Sequence, residues 1–213
     1  MSDYLINTPE DYNKIYQKST NDVEEFWDTL AKDNFKWQKP WNSVLEWDFS
    51  KPEVKWFQGS KLNITENCID RHLENNGDKT AIIFEPNDIN DKSEHISYSD
   101  LHRRVCRMAN VLKDIGVKKG DRVCIYLPMI PELAVSVLAC ARIGAVHSVV
   151  FAGFSSSALS TRINDCQCEV VITSDGSFRG NKILNLKEIV DEALKDCPQV
   201  CSVLVAERTK SKI

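Results

Sequence analysis

The sequence predicts an α/β protein in which a Trp-rich, helical segment over residues 1–66 precedes a parallel sheet covered by helices over residues 67–213. Composition changes near residue 66, because all five tryptophans lie before it and all arginines, histidines and cysteines lie after it. Beyond that point short apolar strands alternate with amphipathic helices. All eight glycines fall at predicted joints between elements, so turn chemistry and periodicity agree.

Composition excludes several classes of protein. The 213 residues are 42% hydrophobic and 27% charged, which is typical of a globular chain and not of a disordered one. The net charge of -4 disfavours nucleic acid as a partner, and the longest apolar run, Leu133–Ala141, is too short to span a membrane. The N-terminus lacks the pattern of a signal peptide, so we expect eight reduced cysteines and a cytoplasmic protein.

The first segment begins with two helix signals. Thr8-Pro9 supplies an N-cap and a proline at the first helical position, and a second start follows at Asn21-Asp22. From Phe35 to Phe57 the aromatic residues are spaced irregularly around two prolines. This spacing predicts an extended arm whose aromatic side chains pack onto another surface, and an aromatic ligand site is the alternative.

The second segment has a regular order of elements. We predict first a helix over Asn63–Asn76, a hairpin of strands Ala81–Glu85 and His95–Tyr98, and a helix capped by Ser99 and ended by Gly116. Strands and helices then alternate. The predicted strands are Val123–Leu127, Ala145–Phe151, Glu169–Thr173 and Val200–Val205, and the predicted helices between them are Pro131–Ile143, Ala158–Asn164 and Leu186–Leu194. His147 lies in a strand pattern and is predicted to be a core residue.

Parallel sheets bind ligands beyond the carboxyl ends of their strands. The loops that follow predicted strands are therefore candidates: Leu127–Ile130, Ala152–Ser157 and Ser174–Lys182. In the second loop Gly153 permits close approach of a ligand, and three serines precede a helix whose free amides attract anions. Simple N-capping by a serine is the alternative explanation of those hydroxyls.

The third loop carries two cations, Arg179 and Lys182, around Gly180 and Asn181. Two cations and open backbone suit a phosphate group, although a solvated surface loop is the alternative. Neither standard glycine-rich phosphate fingerprint occurs in the chain. The pair Cys166 and Cys168 is too closely spaced for an ordinary zinc site, and no nucleophile–base arrangement stands out. The residues alone therefore predict no metal site and no catalytic residue.

Four runs, residues 116–123, 126–132, 140–155 and 171–176, together with the aromatic motifs of the first 66 residues, closely resemble acetyl-CoA synthetase, the AMP-forming acetate–CoA ligase of the adenylate-forming superfamily. The resemblance implies an α/β fold and a reaction in two steps. Acetate attacks the α-phosphate of ATP to give acetyl-adenylate and pyrophosphate, and the thiol of CoA then displaces AMP. It also implies Mg²⁺, which screens the phosphates in the first step.

The resemblance further implies which residues bind CoA. Residues Arg179, Gly180, Asn181 and Lys182 match the stretch that holds the 3′-phosphate end of CoA, and Gly153 matches a glycine that lies against it. Asn181 departs from the glycine or alanine usual at its position. For the partners, the resemblance implies the small molecules acetate, ATP and CoA.

The family's phosphate loop, adenylate motifs and catalytic lysine have no match before Ile213. We therefore expect an incomplete N-terminal part of an enzyme about three times as long, inactive by itself and presenting an unfinished sheet. A propionyl-CoA or acetoacetyl-CoA synthetase is the alternative within the family. A non-catalytic CoA-binding module is the alternative outside it.

Overall fold

The computed structural model describes residues 5–88, 90 and 92–213. These residues form two compact units, which divide between Asn67 and Cys68. No helix in this described part of the chain combines the length and the apolar composition needed to cross a bilayer.

The first unit begins with two helices, α1 (Pro9–Asn21) and α2 (Val23–Asn34). The side chain of Thr8 accepts a hydrogen bond from the backbone of Asp11, whose carboxylate accepts one from the backbone of Thr8. This reciprocal capping box, with Pro9 at the first helical position, starts α1 where the sequence predicts it.

The predicted extended arm is instead an antiparallel hairpin of β1 (Ser43–Asp48) and β2 (Glu53–Gln58). Tryptophans join the hairpin region to α2 within this unit. The Trp41 indole donates to the Asp28 carboxylate at 2.9 Å, and the Trp37 indole donates to the Ala31 carbonyl at 3.0 Å. The two indole rings are arranged edge to face, with their centres 4.9 Å apart. The arm prediction was wrong because irregular aromatic spacing conceals the cross-strand pairs, such as Leu45 with Trp56.

The predicted continuous helix over Asn63–Asn76 is also wrong. The chain forms α3 (Ile64–Cys68), a 3₁₀ turn (Asp70–His72) and α4 (Leu73–Asn76). Ile69 breaks the helix, with φ of -125° and ψ of -66°, and is only 1% exposed. Burial of this side chain in the core outweighs the local helical preference.

The second unit starts with an antiparallel hairpin of β3 (Thr80–Phe84) and β4 (Glu94–Ser97), which confirms the predicted hairpin. Helix α5 (Tyr98–Asp114) follows directly. Its N-cap is Ser97, whose hydroxyl accepts from the Asp100 amide at 3.1 Å. The predicted cap, Ser99, is wrong because Ser97 takes the extended backbone that a cap requires and Ser99 already lies in the first turn.

A four-stranded parallel sheet forms the centre of this unit, in the order β10-β7-β5-β6. This arrangement confirms the predicted parallel sheet and α/β class. Its strands are β5 (Arg122–Tyr126), β6 (Val146–Val149), β7 (Val170–Ser174) and β10 (Ser202–Ala206), and its connecting helices are α6 (Pro131–Ile143), α7 (Ser156–Cys166) and α8 (Leu186–Leu194).

Alternating side chains of the central strands enter two cores. Val123 and Ile125 belong to the core that contains the buried residues of α5 and α6. Cys124 and Tyr126 belong to the core that contains those of α7 and α8. Helices therefore cover both faces, as the apolar strands predict. At the edge strand β6, however, His147 is exposed, so its predicted place in the core is wrong because β6 has a neighbour on one side only.

All eight cysteines are free thiols, and they range from exposed to buried. Burial raises the pKa of Cys124 and Cys168 to about 12 and that of Cys140 to about 11. Since the thiolate is the reactive form, we expect iodoacetamide at pH 7.5 to label the exposed Cys68 and Cys201 well before these three. Peptide mass spectrometry over a time course measures the order, and early labelling of Cys124 would contradict the packing.

The tryptophans of the first unit provide a matched test. Trp37 is half-buried and hydrogen-bonded, whereas Trp47 is 59% exposed. We expect Trp37→Ala to lower the free energy of unfolding by about 2 kcal/mol or more, and Trp47→Ala to change it far less. Urea unfolding followed by circular dichroism compares the two variants, and equal losses would contradict the observed packing.

Candidate functional site

A cleft of about 590 Å³ opens at the carboxyl ends of the parallel strands. The loops after β5 and β6 line it with residues 127–130 and 150–153, and the segment after β7 contributes residues 177–179. The end of β3 and Arg208, which follows β10, complete the lining. The three loops predicted from the sequence as ligand-binding segments thus converge on one cavity.

The segment Ser174–Lys182, predicted as a loop, contains a small hairpin. Strands β8 (Ser177–Arg179) and β9 (Lys182–Leu184) pair antiparallel, with Arg179 opposite Lys182. Gly180 opens the two-residue turn at φ of 59°, a left-handed conformation that suits glycine. The strands are too short to show period-two alternation, which is why sequence analysis missed them.

The tip of this hairpin is strongly basic. Arg179 and Lys182 face each other across the strands, both are exposed, and neither has an ion-pair partner among the described residues. Like charges directly opposite in a hairpin are destabilising. A bound anion would relieve this repulsion, so the tip is suited to a phosphate group.

Tyr126 holds the loop after β6 through a hydrogen bond to its backbone. This fully buried side chain donates its hydroxyl to the Phe154 carbonyl at 2.7 Å, and burial raises its pKa. Gly153 lines the cleft, and a Cβ placed there would lie 2.6 Å from the exposed ring of Phe151. Ser155 accepts from the Ala158 amide and caps α7, which confirms the N-capping interpretation for that serine.

The sequence analysis did not single out Asp175, whose carboxylate accepts hydrogen bonds from two segments beside the hairpin. Asp175 is 3% exposed and accepts backbone hydrogen bonds from Gly176, Arg208, Thr209 and Ser211 at 2.7–3.0 Å. Burial by itself raises the pKa of this carboxyl, but the four backbone donors outweigh it and hold the pKa below its ordinary value. Asp175 thereby ties the segment after β7 to the turn after β10.

Gly176 lies beside this carboxylate in a confined space. A Cβ at Gly176 would lie 2.6 Å from the Thr209 hydroxyl and 3.1 Å from the Leu184 carbonyl. A side chain at this position would therefore displace the Thr209 side chain and crowd the backbone of β9.

Arg208 is the second residue that sequence analysis missed. Its guanidinium carbon lies over two rings, 5.3 Å from the centre of Phe178 and 5.5 Å from that of Phe84. Both rings also line the cleft. No sequence signal links Arg208 to Phe84, because the contact depends on how β3 and β10 are placed in the fold.

The structure brings some of the predicted site residues together and leaves others beside the cleft. Gly153 and Arg179 line the same cavity. Gly180, Asn181 and Lys182 form the exposed turn and first strand residue at the tip, outside the lining of the cleft. Within residues 5–88, 90 and 92–213, no three His, Cys, Asp or Glu side chains cluster to hold a metal ion.

The role of Asp175 leads to a test by amide substitution. Asp175→Asn replaces one oxygen by an amide group that opposes backbone donors, so we expect the free energy of unfolding to fall by about 1.5–3 kcal/mol at pH 7. Because the folded pKa is lowered, the stabilisation by Asp175 is present above about pH 4 and is lost as the pH falls below that value. Urea unfolding of both proteins at pH 7 and pH 3 measures the difference, and a difference that does not shrink at pH 3 would contradict this account.

Comparison with known proteins identifies the family. Residues 69–212 match the model for "AMP-binding enzyme", and residues 12–68 match "Acetyl-coenzyme A synthetase N-terminus". Curated relatives include acetyl-coenzyme A synthetase 2 of Pseudomonas aeruginosa and acetyl-coenzyme A synthetase of Alkalilimnicola ehrlichii, which are 54% and 53% identical over 96% and 97% of this chain.

The chain spans about a third of the length of these relatives, 32% in each case. Among solved structures, acetoacetyl-CoA synthetase from Streptomyces lividans superposes with a TM-score of 0.87 at 26% identity, over 95% of this chain and 31% of that one. Its likeness agrees with the α/β architecture described above. The chain therefore belongs to the AMP-binding enzyme family and is similar along nearly its whole length to acetyl-coenzyme A synthetases.

Proposed function

We propose that this chain supplies the CoA-binding part of an AMP-forming acetate–CoA ligase. The observation that carries the proposal is the basic hairpin at the carboxyl edge of a parallel sheet, in a chain that is more than half identical to acetyl-coenzyme A synthetases. The complete reaction converts acetate, ATP and CoA into acetyl-CoA, AMP and diphosphate through an acetyl-adenylate.

The proposed work of the described residues is binding and orientation. Arg179 and Lys182 hold the 3′-phosphate of CoA through charge-assisted hydrogen bonds, and Gly180 and Asn181 present open backbone between them. Gly153 leaves room for CoA to lie against the loop after β6. In this proposal the described residues bind CoA and take no part in making or breaking bonds, in holding ATP or in holding Mg²⁺.

Acetate is favoured over a larger acyl substrate by the degree of similarity. Identity is 54% to an acetyl-coenzyme A synthetase and 26% to an acetoacetyl-CoA synthetase. A propionyl-CoA synthetase is the alternative within the family. Product analysis with acetate, propionate and acetoacetate, using the complete gene product, distinguishes the three.

We assign residues 1–66 to a segment of the acetyl-CoA synthetase type and residues 67–213 to the AMP-binding domain. The partners are small molecules, and neither nucleic acid nor a membrane takes part. A cytoplasmic location is proposed because eight free thiols suit a reducing compartment.

Direct binding of CoA to the 213-residue chain is the first test. We expect isothermal titration calorimetry to detect binding by the wild type and to show about tenfold weaker binding by Arg179→Ala and by Lys182→Ala, because each loses a charge-assisted contact. Lys195→Ala is the matched control. It removes the same charge from the end of α8, at the opposite edge of the sheet.

Two outcomes would contradict the proposal. Absence of CoA binding by the folded wild-type chain removes its basis, and equal weakening by Lys195→Ala would show non-specific attraction by charge. We also expect no acetate-dependent exchange between ATP and pyrophosphate by this chain alone. Exchange above a blank without protein would mean that the chain holds an ATP site which the proposal does not include.

A further inference from the structure

We propose that Arg208 is a second anion-binding residue of the cleft and that it binds the diphosphate of CoA, apart from the 3′-phosphate held at the hairpin tip. This inference rests on the proposed function, since it requires CoA to occupy the cleft. Arg208 lines the cleft, and no sequence motif marks it as a ligand-binding residue.

The environment of the guanidinium leaves its edges available. Phe84 and Phe178 lie against it at 5.5 and 5.3 Å, so both rings fix its position through cation–π contact. Glu85 also lines the cleft, but no carboxylate within the described residues forms an ion pair with Arg208. Since the guanidinium forms no ion pair within the described residues, its N–H donors remain able to match the oxygens of a phosphate.

The backbone beneath this side chain is also held in place. The Arg208 amide donates to Asp175 at 2.7 Å, and the following Thr209 amide donates to the same carboxylate. Arg208 is half-buried and its guanidinium contacts two rings, which reduces the conformational freedom that it loses when a ligand binds. A preorganised cation of this kind binds an anion at low entropic cost.

Two groups of cations therefore contact one hairpin, the pair at its tip and Arg208 from the turn after β10. Arg179 and Lys182 lie at its tip, whereas Arg208 lies over the ring of Phe178, one residue before the tip pair. CoA carries its phosphates in two places, the 3′-phosphate and the diphosphate. One group of cations for each phosphate position accounts for both, and Arg208 is the cation left for the diphosphate when the tip holds the 3′-phosphate.

Two ligands that differ by one phosphate test this assignment. CoA and 3′-dephospho-CoA are titrated calorimetrically into the 213-residue wild type, Arg208→Gln, Arg208→Lys and Lys182→Gln, with Lys195→Gln as the matched control. We expect Arg208→Gln to weaken both ligands about tenfold and Lys182→Gln to weaken only CoA. Arg208→Lys keeps the charge and loses the planar pair of donors, so we expect it to weaken the binding of both ligands less than Arg208→Gln does.

Each result decides between the alternatives. If Arg208→Gln binds both ligands as tightly as the wild type, the inference about Arg208 is overturned. The proposed function still stands in that case, because the wild type binds CoA. A loss confined to CoA would place Arg208 at the 3′-phosphate and overturn its assignment to the diphosphate. Thermal unfolding checks that the variants are folded, and if Arg208→Gln is not, the two ligands are compared on Arg208→Lys. Absence of CoA binding by the wild type overturns both proposals.

Discussion

The Asp175 carboxylate is the constraint on which the geometry of the cleft depends. It accepts from backbone groups on both sides of the hairpin region, Gly176 before it and Arg208, Thr209 and Ser211 after β10. A buried carboxylate requires such donors, because without them burial would favour its neutral form. The same requirement fixes two segments that lie about thirty residues apart in the chain, at 175–176 and 208–211.

The parallel sheet supplies the second condition. In a parallel sheet all carboxyl ends lie at one edge, so loops that are distant in sequence meet there. The loops after β5, β6 and β7 line one cleft for this reason, and the turn after β10 adds Arg208. The topology thus places Arg179, Lys182 and Arg208 at the same edge of the sheet, although residues 67–213 carry as many acidic as basic side chains.

Local and periodic features were predictable from the sequence. Helix α6 runs over Pro131–Ile143 as predicted and ends at Gly144, whose φ of 75° needs a glycine. Apolar strands indicated the parallel sheet, and its carboxyl edge indicated Gly153 and Arg179 as cleft residues. These inferences succeed because capping and hydrophobic periodicity each depend on residues that are close together in the sequence.

Features set by distant contacts were not predictable. Ile69 leaves the helical conformation where it is buried in the core, and His147 is exposed because β6 is an edge strand. Asp175 resembled an ordinary turn residue, and its role depends on amides more than thirty residues away. Arg208 gains significance only from rings on β3 and β8, which no single sequence pattern relates.

Hydrogen exchange of the 213-residue chain with and without saturating CoA tests the central claim, that the basic hairpin and its cleft bind the phosphates of CoA. The account predicts slower exchange in residues 177–184 and 206–211. It predicts no change in the turn over residues 115–121, which precedes β5 and lies at the opposite edge of the sheet. Protection confined to that opposite edge, or unchanged exchange in the hairpin despite measured binding, would contradict it.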